Sequence, residues 1–254
     1  MLISITEQCR MGCIHCMDDA KKNGNHMTMD TFKQAVNFFN DHNALCMIIT
    51  GGEPTENPLC LDMVKHALEN THSTFIDTNI TLATNGMNIS GNKEYQDELL
   101  RLFNKYGKRF MIQLTHVIQY YPIDVDFSEP FFSHPNVVLC TEIEAMYPQG
   151  RALINNLPSD AKASKCFNIR SVVRQHKNLA MGIVALAMRG KFCTPRVNWD
   201  GGIKLGESRL CPTVANIWDK EEDVIKNICN FRCAGCNHIN SKLDRRYLEA
   251  IGEV

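Results

Sequence analysis

No apolar run in the 254-residue chain approaches the roughly 18 residues that cross a bilayer, so the sequence offers no membrane-spanning segment. An excess of one charge is also missing. Twenty-seven Lys and Arg face 28 Asp and Glu, a formal net charge of −1, which argues against a broad phosphate-binding surface and so against a nucleic-acid partner. Residues 1–6, Met-Leu-Ile-Ser-Ile-Thr, lack a basic leader, a long apolar stretch and a small-residue cleavage site. The expectation is a cytoplasmic chain whose mature form starts at Met1. Internal repeats and low-complexity tracts are absent, which excludes solenoids and disordered linkers.

Cysteine is what the sequence has in excess, with 12 residues. A chain of this length buries a core without disulfides, and with no export signal metal or redox chemistry becomes the leading reading. Isolated cysteines mostly pack as small hydrophobes, a reading that suits Cys46, Cys60, Cys140 and Cys166.

Strand and helix patterns alternate along the first half. A short strand over residues 1–7 leads into a cysteine-rich loop from Cys9 to about Asn25. Phe32, Ala35, Val36, Phe38 and Phe39 then fall at helical spacing behind a polar cap at Thr28 or Asp30. Strands are expected at 45–49, 80–83, 110–114 and 137–139, and helices at 61–68 and 95–106. This alternation implies a parallel α/β sheet. After about Asn156 the texture changes: a polar stretch leads into a helix ending near Gly190, and a hairpin is expected around Asp200-Gly201-Gly202. The resulting division is a core over 1–156, a linking helical region over 157–190 and a small cysteine-bearing unit over 191–254.

Cys9, Cys13 and Cys16 are spaced to converge on one metal centre, because soft thiolates suit zinc and iron–sulfur clusters. Structural zinc normally takes four protein ligands, whereas three cysteines on a [4Fe–4S] cluster leave one iron open. Spacing alone leaves open a zinc site completed by His15 or a distant residue. After the second expected strand comes Gly51-Gly52-Glu53-Pro54-Thr55, at the rim where α/β sheets bind ligands. Paired glycines allow close backbone approach to a ligand, and Glu53 offers a carboxylate for an ammonium group.

Together these motifs resemble the radical S-adenosylmethionine (SAM) superfamily, in which a Cys-x3-Cys-x2-Cys loop after the first strand pairs with a Gly-Gly-Glu-Pro loop after the second. The resemblance implies a partial (β/α)6 TIM-like barrel with a small C-terminal hairpin-plus-helix cluster domain. It implies a [4Fe–4S] cluster whose open iron chelates SAM, with Gly51, Gly52, Glu53 and Pro54 at the methionine amino group and His15 beside the adenine. SAM cleavage to a 5′-deoxyadenosyl radical and abstraction of a substrate hydrogen would follow. Thr84 and Asn85 end the third strand, and Gln113 and Thr115 end the fourth, where the family meets the SAM ribose; strand-end capping is the plain alternative for all four. A Gly150-Arg151-Ala152 turn also matches a family segment, with Arg151 either at the SAM carboxylate or closing a surface turn.

Cys193, Cys211, Cys233 and Cys236 resemble the twitch form of the SPASM extension, which holds an auxiliary [4Fe–4S] cluster; a four-cysteine zinc ribbon is the structural alternative. Cys229 is surplus. A cluster with four cysteine ligands suits electron relay, which favours net oxidation of a small molecule or short peptide, fed by an external one-electron reductant such as a flavodoxin or ferredoxin. With the first barrel strand beginning at Leu2, no room is expected for an N-terminal peptide-recognition domain, which another protein could supply. The rivals are a redox-neutral epimerase or cross-linking maturase, with Cys140 or Cys229 as hydrogen donor, and a non-catalytic zinc-binding module. Gln113, His116 and Glu142 are candidates for substrate deprotonation.

Overall fold

Phe32, Ala35, Val36 and Phe39 line one stripe of the first helix, α1 (Met29–Asp41), and all four are buried. Thr28 caps it, its hydroxyl accepting from the Thr31 amide at 3.2 Å. The computed structural model describes residues 1–41, 46–72, 79–141, 150–158, 195–205 and 213–230. Within these, α1 follows strand β1 (Leu2–Ser4). Next come β2 (Cys46–Thr50), α2 (Cys60–Asn70), β3 (Asn79–Thr84) and α3 (Lys93–Tyr106). β4 (Phe110–Thr115), β5 (Val137–Cys140) and a short α4 (Gly150–Ile154) complete the alternation.

β1 to β5 pair in parallel, each with its neighbour in sequence, so the βα units recur as their hydrophobic patterns require. Ile3, Ile5, Met47, Ile49, Ile80, Leu82, Phe110, Ile112 and Leu114 are fully buried in one core with residues of α1, α2 and α3. Side chains alternate across a strand, so Ser4, Thr50, Thr81, Gln113 and Thr115 belong to the opposite, inner face.

The expected hairpin is present: β6 (Pro195–Val197) pairs antiparallel with β7 (Gly202–Leu205), across a turn in which Gly201 adopts φ +83°. β8 (Thr213–Asn216) and helix α5 (Glu221–Asn230) follow. The sheet order is β5-β4-β3-β2-β1-β6-β7-β8. Thus β6 lies parallel to β1, with Ile3 opposite Val197, and the hairpin is continuous with the barrel sheet at its first strand. The expected helix ending near Gly190, and Glu142, Cys166, Cys193, Cys211, Cys233 and Cys236, lie outside the described residues, while Cys229 falls in α5. No helix among the described residues is long and apolar enough to cross a membrane.

Candidate active site

Parallel strands deliver the loops after β1, β2, β3 and β4 to one rim. The first of these is pinched at its base. Cys9 N donates to Lys21 O at 2.8 Å, Lys21 N to Glu7 O at 3.1 Å and Glu7 N to Asn25 O at 2.9 Å. Gly24 makes the pinch possible, since a Cβ there would sit 2.4 Å from Gln8 N and from Glu7 C. Residues 9–20 are therefore held as a closed loop.

Inside it, Cys9 and Cys13 are buried, Cys16 is half-buried, and all three pack with Met11, Ala20 and Val125. Burial pushes the Cys9 thiol up to about 11 and the Cys13 thiol up to about 12, with the neighbouring cysteines adding to the rise. Without a metal these groups stay protonated; a cation that pairs them would take them as thiolates. Amide donors already face the sulfurs: Ala20 N lies 3.5 Å from Cys16 Sγ and Asn85 Nδ2 lies 3.9 Å from Cys9 Sγ. No three Cys, His, Asp or Glu among the described residues converge as a single ion requires. A four-iron cube takes each thiolate on a separate iron, so it does not ask for that convergence. Buried thiols with N–H donors on sulfur fit an iron–sulfur cluster.

The paired glycines after β2 allow a close approach of one loop's backbone to another's. A Cβ on Gly52 would lie 2.3 Å from Gln8 O, and one on Gly51 would lie 2.4 Å from Thr6 O. Gly52 N donates to Thr6 O at 2.8 Å and Glu53 N to Gln8 O at 2.7 Å. The glycines thus seat the second loop directly on the backbone that enters the cysteine loop.

Glu53 is 1% exposed, and both of its carboxylate oxygens are occupied by protein donors. Oε1 accepts from Thr55 N at 3.1 Å and from the hydroxyls of Thr55 and Thr84, both at 2.5 Å. Oε2 accepts from Asn85 N at 2.8 Å. Burial raises its pKa, and these donors oppose the rise. The carboxylate ties the loops after β2 and β3 together. Thr84 and Asn85 are brought to that knot, with Asn85 also reaching Cys9, while Pro54 is buried at the start of the short turn of helix that follows. Glu56, unremarked in the sequence, makes a second tie: Oε1 accepts from Arg10 N at 2.9 Å and Oε2 from Gln8 Nε2 at 2.8 Å.

At the end of β4, Gln113 and Thr115 are half-buried opposite Val138 and Cys140 of β5. His116 is 4% exposed, stacked on Tyr121 at 5.1 Å with its Nε2 3.4 Å from Asp124 Oδ1. His15 lies against Tyr120 and Tyr121, at 5.1 and 5.6 Å. Burial lowers its pKa, with the charge of Arg151 acting in the same direction, so it is a neutral aromatic surface. Tyr121 joins the two histidines and anchors its hydroxyl on Thr115 O at 2.7 Å.

Two arginines reach the cysteine loop from beyond residue 121. Arg196 of β6 donates to Asp18 at 2.7 Å and to Ser4 Oγ at 2.8 Å. Arg151 of α4 donates to Cys13 O and Ala20 O, both at 2.8 Å. Only the Gly150-Arg151-Ala152 turn hinted at either. A cavity of about 190 Å³ lies between the cysteine loop and the hairpin, lined by Asp18, Lys21, Gly52, Arg196 and Trp199 among others.

Residues 3–121 match the Radical SAM superfamily. Over those residues the chain is similar to a radical SAM domain. Such domains use a [4Fe–4S] cluster and SAM. The crystal structure of BtrN in complex with AdoMet and 2-DOIA is similar to the chain, with 14% identity and a TM-score of 0.56, over 99% of this chain and 86% of that one. Native anSMEcpe with bound AdoMet and Cp18Cys peptide aligns at 14% identity and a TM-score of 0.44, over 100% of this chain and 83% of that one. The BtrN likeness shows a shared partial-barrel fold. The sequence matches no curated protein.

Proposed function

We propose that the chain is a radical SAM oxidoreductase acting on a small polar molecule or a short peptide. The observation that carries the reading is the closed loop in which Cys9, Cys13 and Cys16 share one buried apolar environment at the sheet's ligand-binding rim. These three thiols would hold the SAM-cleaving [4Fe–4S] cluster, leaving one iron for SAM. Bound there, the cluster would supply one-electron reducing chemistry to SAM, with the electron coming from an external reductant. Met11 and Val125, packed on the cysteines, shield them from water. His15, neutral and ringed by Tyr120 and Tyr121, offers an aromatic surface for adenine. Backbone carbonyls of the Gly51–Pro54 segment are the candidates for the SAM ammonium, since the Glu53 carboxylate already has its donors. The cavity lined by Asp18, Lys21 and Arg196 carries charges of both signs, which suits a substrate bearing amino and hydroxyl or carboxylate groups.

Cys193, Cys211, Cys233 and Cys236 would hold an auxiliary [4Fe–4S] cluster that receives the substrate's remaining electron, in a C-terminal unit over 191–254 joined to the 1–156 core through 157–190. The β6–β7 hairpin between Cys193 and Cys211 supports this, because a hairpin returns the chain beside its start. A flavodoxin or ferredoxin would supply the first electron. A redox-neutral reaction is the second reading, favoured by the free, half-buried thiol of Cys140 at the end of β5.

Anaerobically purified protein should be brown, absorb near roughly 400 nm and release 5′-deoxyadenosine from SAM under strong reductant. A colourless protein holding stoichiometric zinc would overturn the reading in favour of a zinc-binding module. A product two hydrogens lighter than its substrate separates oxidation from a redox-neutral reaction.

A further inference from the structure

α4 (Gly150–Ile154) lies more than 130 residues from the cysteine loop in sequence, yet it grips that loop along its length. Arg151 N donates to Cys16 O at 2.9 Å, Nε to Cys13 O at 2.8 Å and Nη1 to Ala20 O at 2.8 Å, with Asp19 Oδ1 at 3.5 Å from Nη1. Asn155 Nδ2 adds Ile14 O at 2.9 Å. The contact requires Gly150: a Cβ there would lie 2.3 Å from Met17 O and 2.5 Å from Cys16 O, at φ +54°. Four hydrogen bonds thus fix the carbonyls of Cys13, Ile14, Cys16 and Ala20 from outside residues 3–121, and an ion pair to Asp19 joins them.

Two further properties separate this clasp from simple loop packing. Arg151 Nη2 is buried and has no hydrogen-bond partner among the described residues, and a charged donor left unmet is costly. A guanidinium also cannot shed its proton, so its charge persists at any working pH. That charge acts on Cys13 and on His15 as well as on Asp19, with which it is paired.

We infer that Arg151 is the positioning residue of the cluster loop and sets the reduction potential of the cluster it holds. The inference rests on the proposed [4Fe–4S] site. Its guanidinium holds the segment from Cys13 to Ala20 in place before iron arrives, and its fixed positive charge favours the cluster that has gained one electron over the one that has not. The electron comes from the external one-electron reductant; no bond is made or broken and no proton moves. Nη2 remains as a donor for an acceptor that the described residues do not provide.

The test compares Arg151→Gln, which removes the charge, with Arg151→Lys, which keeps the charge and loses the fork. In the metal-free protein, both variants should exchange the amides of residues 13–20 at least about tenfold faster than wild type, with α2 and α3 unchanged. In the iron-loaded protein, redox titration with dithionite should show R151Q with a roughly tenfold lower ratio of reduced to oxidised cluster at a fixed solution potential, a shift of about 59 mV for one electron. R151K should stay within about threefold of wild type. Iron loss from R151Q with full iron in R151K also supports the inference. Wild-type amide exchange and wild-type potential in R151Q would overturn it, as would equal shifts in both variants. If wild-type protein takes up no [4Fe–4S] cluster, it is the proposed function that fails, and the amide-exchange result still decides the positioning role.

Discussion

The carboxylate of Glu53, in the loop after β2, accepts a hydrogen bond from the Thr84 hydroxyl, at the end of β3, at 2.5 Å. That contact makes two rim loops one unit. It also means that a residue whose motif suggests ligand contact is consumed by the protein's own backbone and hydroxyls.

Glu53→Gln keeps the size but offers one acceptor oxygen to four donors, so it should destabilise the metal-free protein by about 2–3 kcal/mol in urea unfolding. The pH dependence of that loss has a definite sign. Burial raises the folded pKa of Glu53 above its ordinary 4.5, so from pH 4.5 upward the native state holds more protons than the unfolded one. Its contribution to stability is fully present below 4.5 and is lost as pH rises through the folded value. The gap between wild type and E53Q should therefore narrow as pH rises; a gap that widens instead would show that the four donors outweigh burial.

Gly52→Ala puts a methyl 2.3 Å from Gln8 O, a clash with backbone that no side-chain rotation relieves. A loss of about 2–4 kcal/mol in thermal or urea unfolding is expected, with reduced iron uptake. Gly91→Ala is the control. Its φ is +71° and nothing lies within 4 Å, so it should show only the left-handed penalty of about 1 kcal/mol and normal iron uptake.

Asp18 and Arg196 connect the cysteine loop to β6 at 2.7 Å, with side chains 28% and 11% exposed. A double-mutant cycle with Asp18→Asn and Arg196→Met should give a coupling of about 1–3 kcal/mol. The single Arg196 variant should also speed amide exchange in β6. A coupling near zero would show that the β1–β6 backbone pairing alone holds the hairpin.

Cys60, the first residue of α2, is buried in the core, and burial pushes its thiol up to about 12. Iodoacetamide at pH 8.5 should therefore leave Cys60 unmodified in the folded protein while modifying the exposed Cys46, as read by peptide mass spectrometry.

Changing Cys9, Cys13 and Cys16 together to alanine should leave about four of eight irons if the C-terminal cysteines hold a cluster of their own. Complete loss of iron would mean a single cluster. SAM cleavage should vanish in either case.

Much of the fold was legible in local pattern. The apolar stripe of α1 and the runs at β2, β3 and β4 carry their own periodicity, and the Asp200-Gly201-Gly202 turn announces its hairpin. The spacing of Cys9, Cys13 and Cys16 and the Gly-Gly-Glu-Pro segment were legible in the same way, because each lies within a few residues of chain. The pairing of β6 with β1 was not. Strand partners almost 200 residues apart are chosen by shape and burial, which leave no short signature in either segment.

The sequence by itself determined which residues carry sulfur, where strands and helices alternate, and that the two motif loops follow the first two strands. Only the tertiary structure decided what those loops rest on. Gly51 and Gly52 press against Thr6 and Gln8, Glu53 answers Thr84 and Asn85, and Arg151 holds the carbonyls of Cys13 and Ala20. Motif spacing is a local property of covalent chain. Hydrogen bonds and backbone contacts between distant segments exist only once the sheet has brought the rim together.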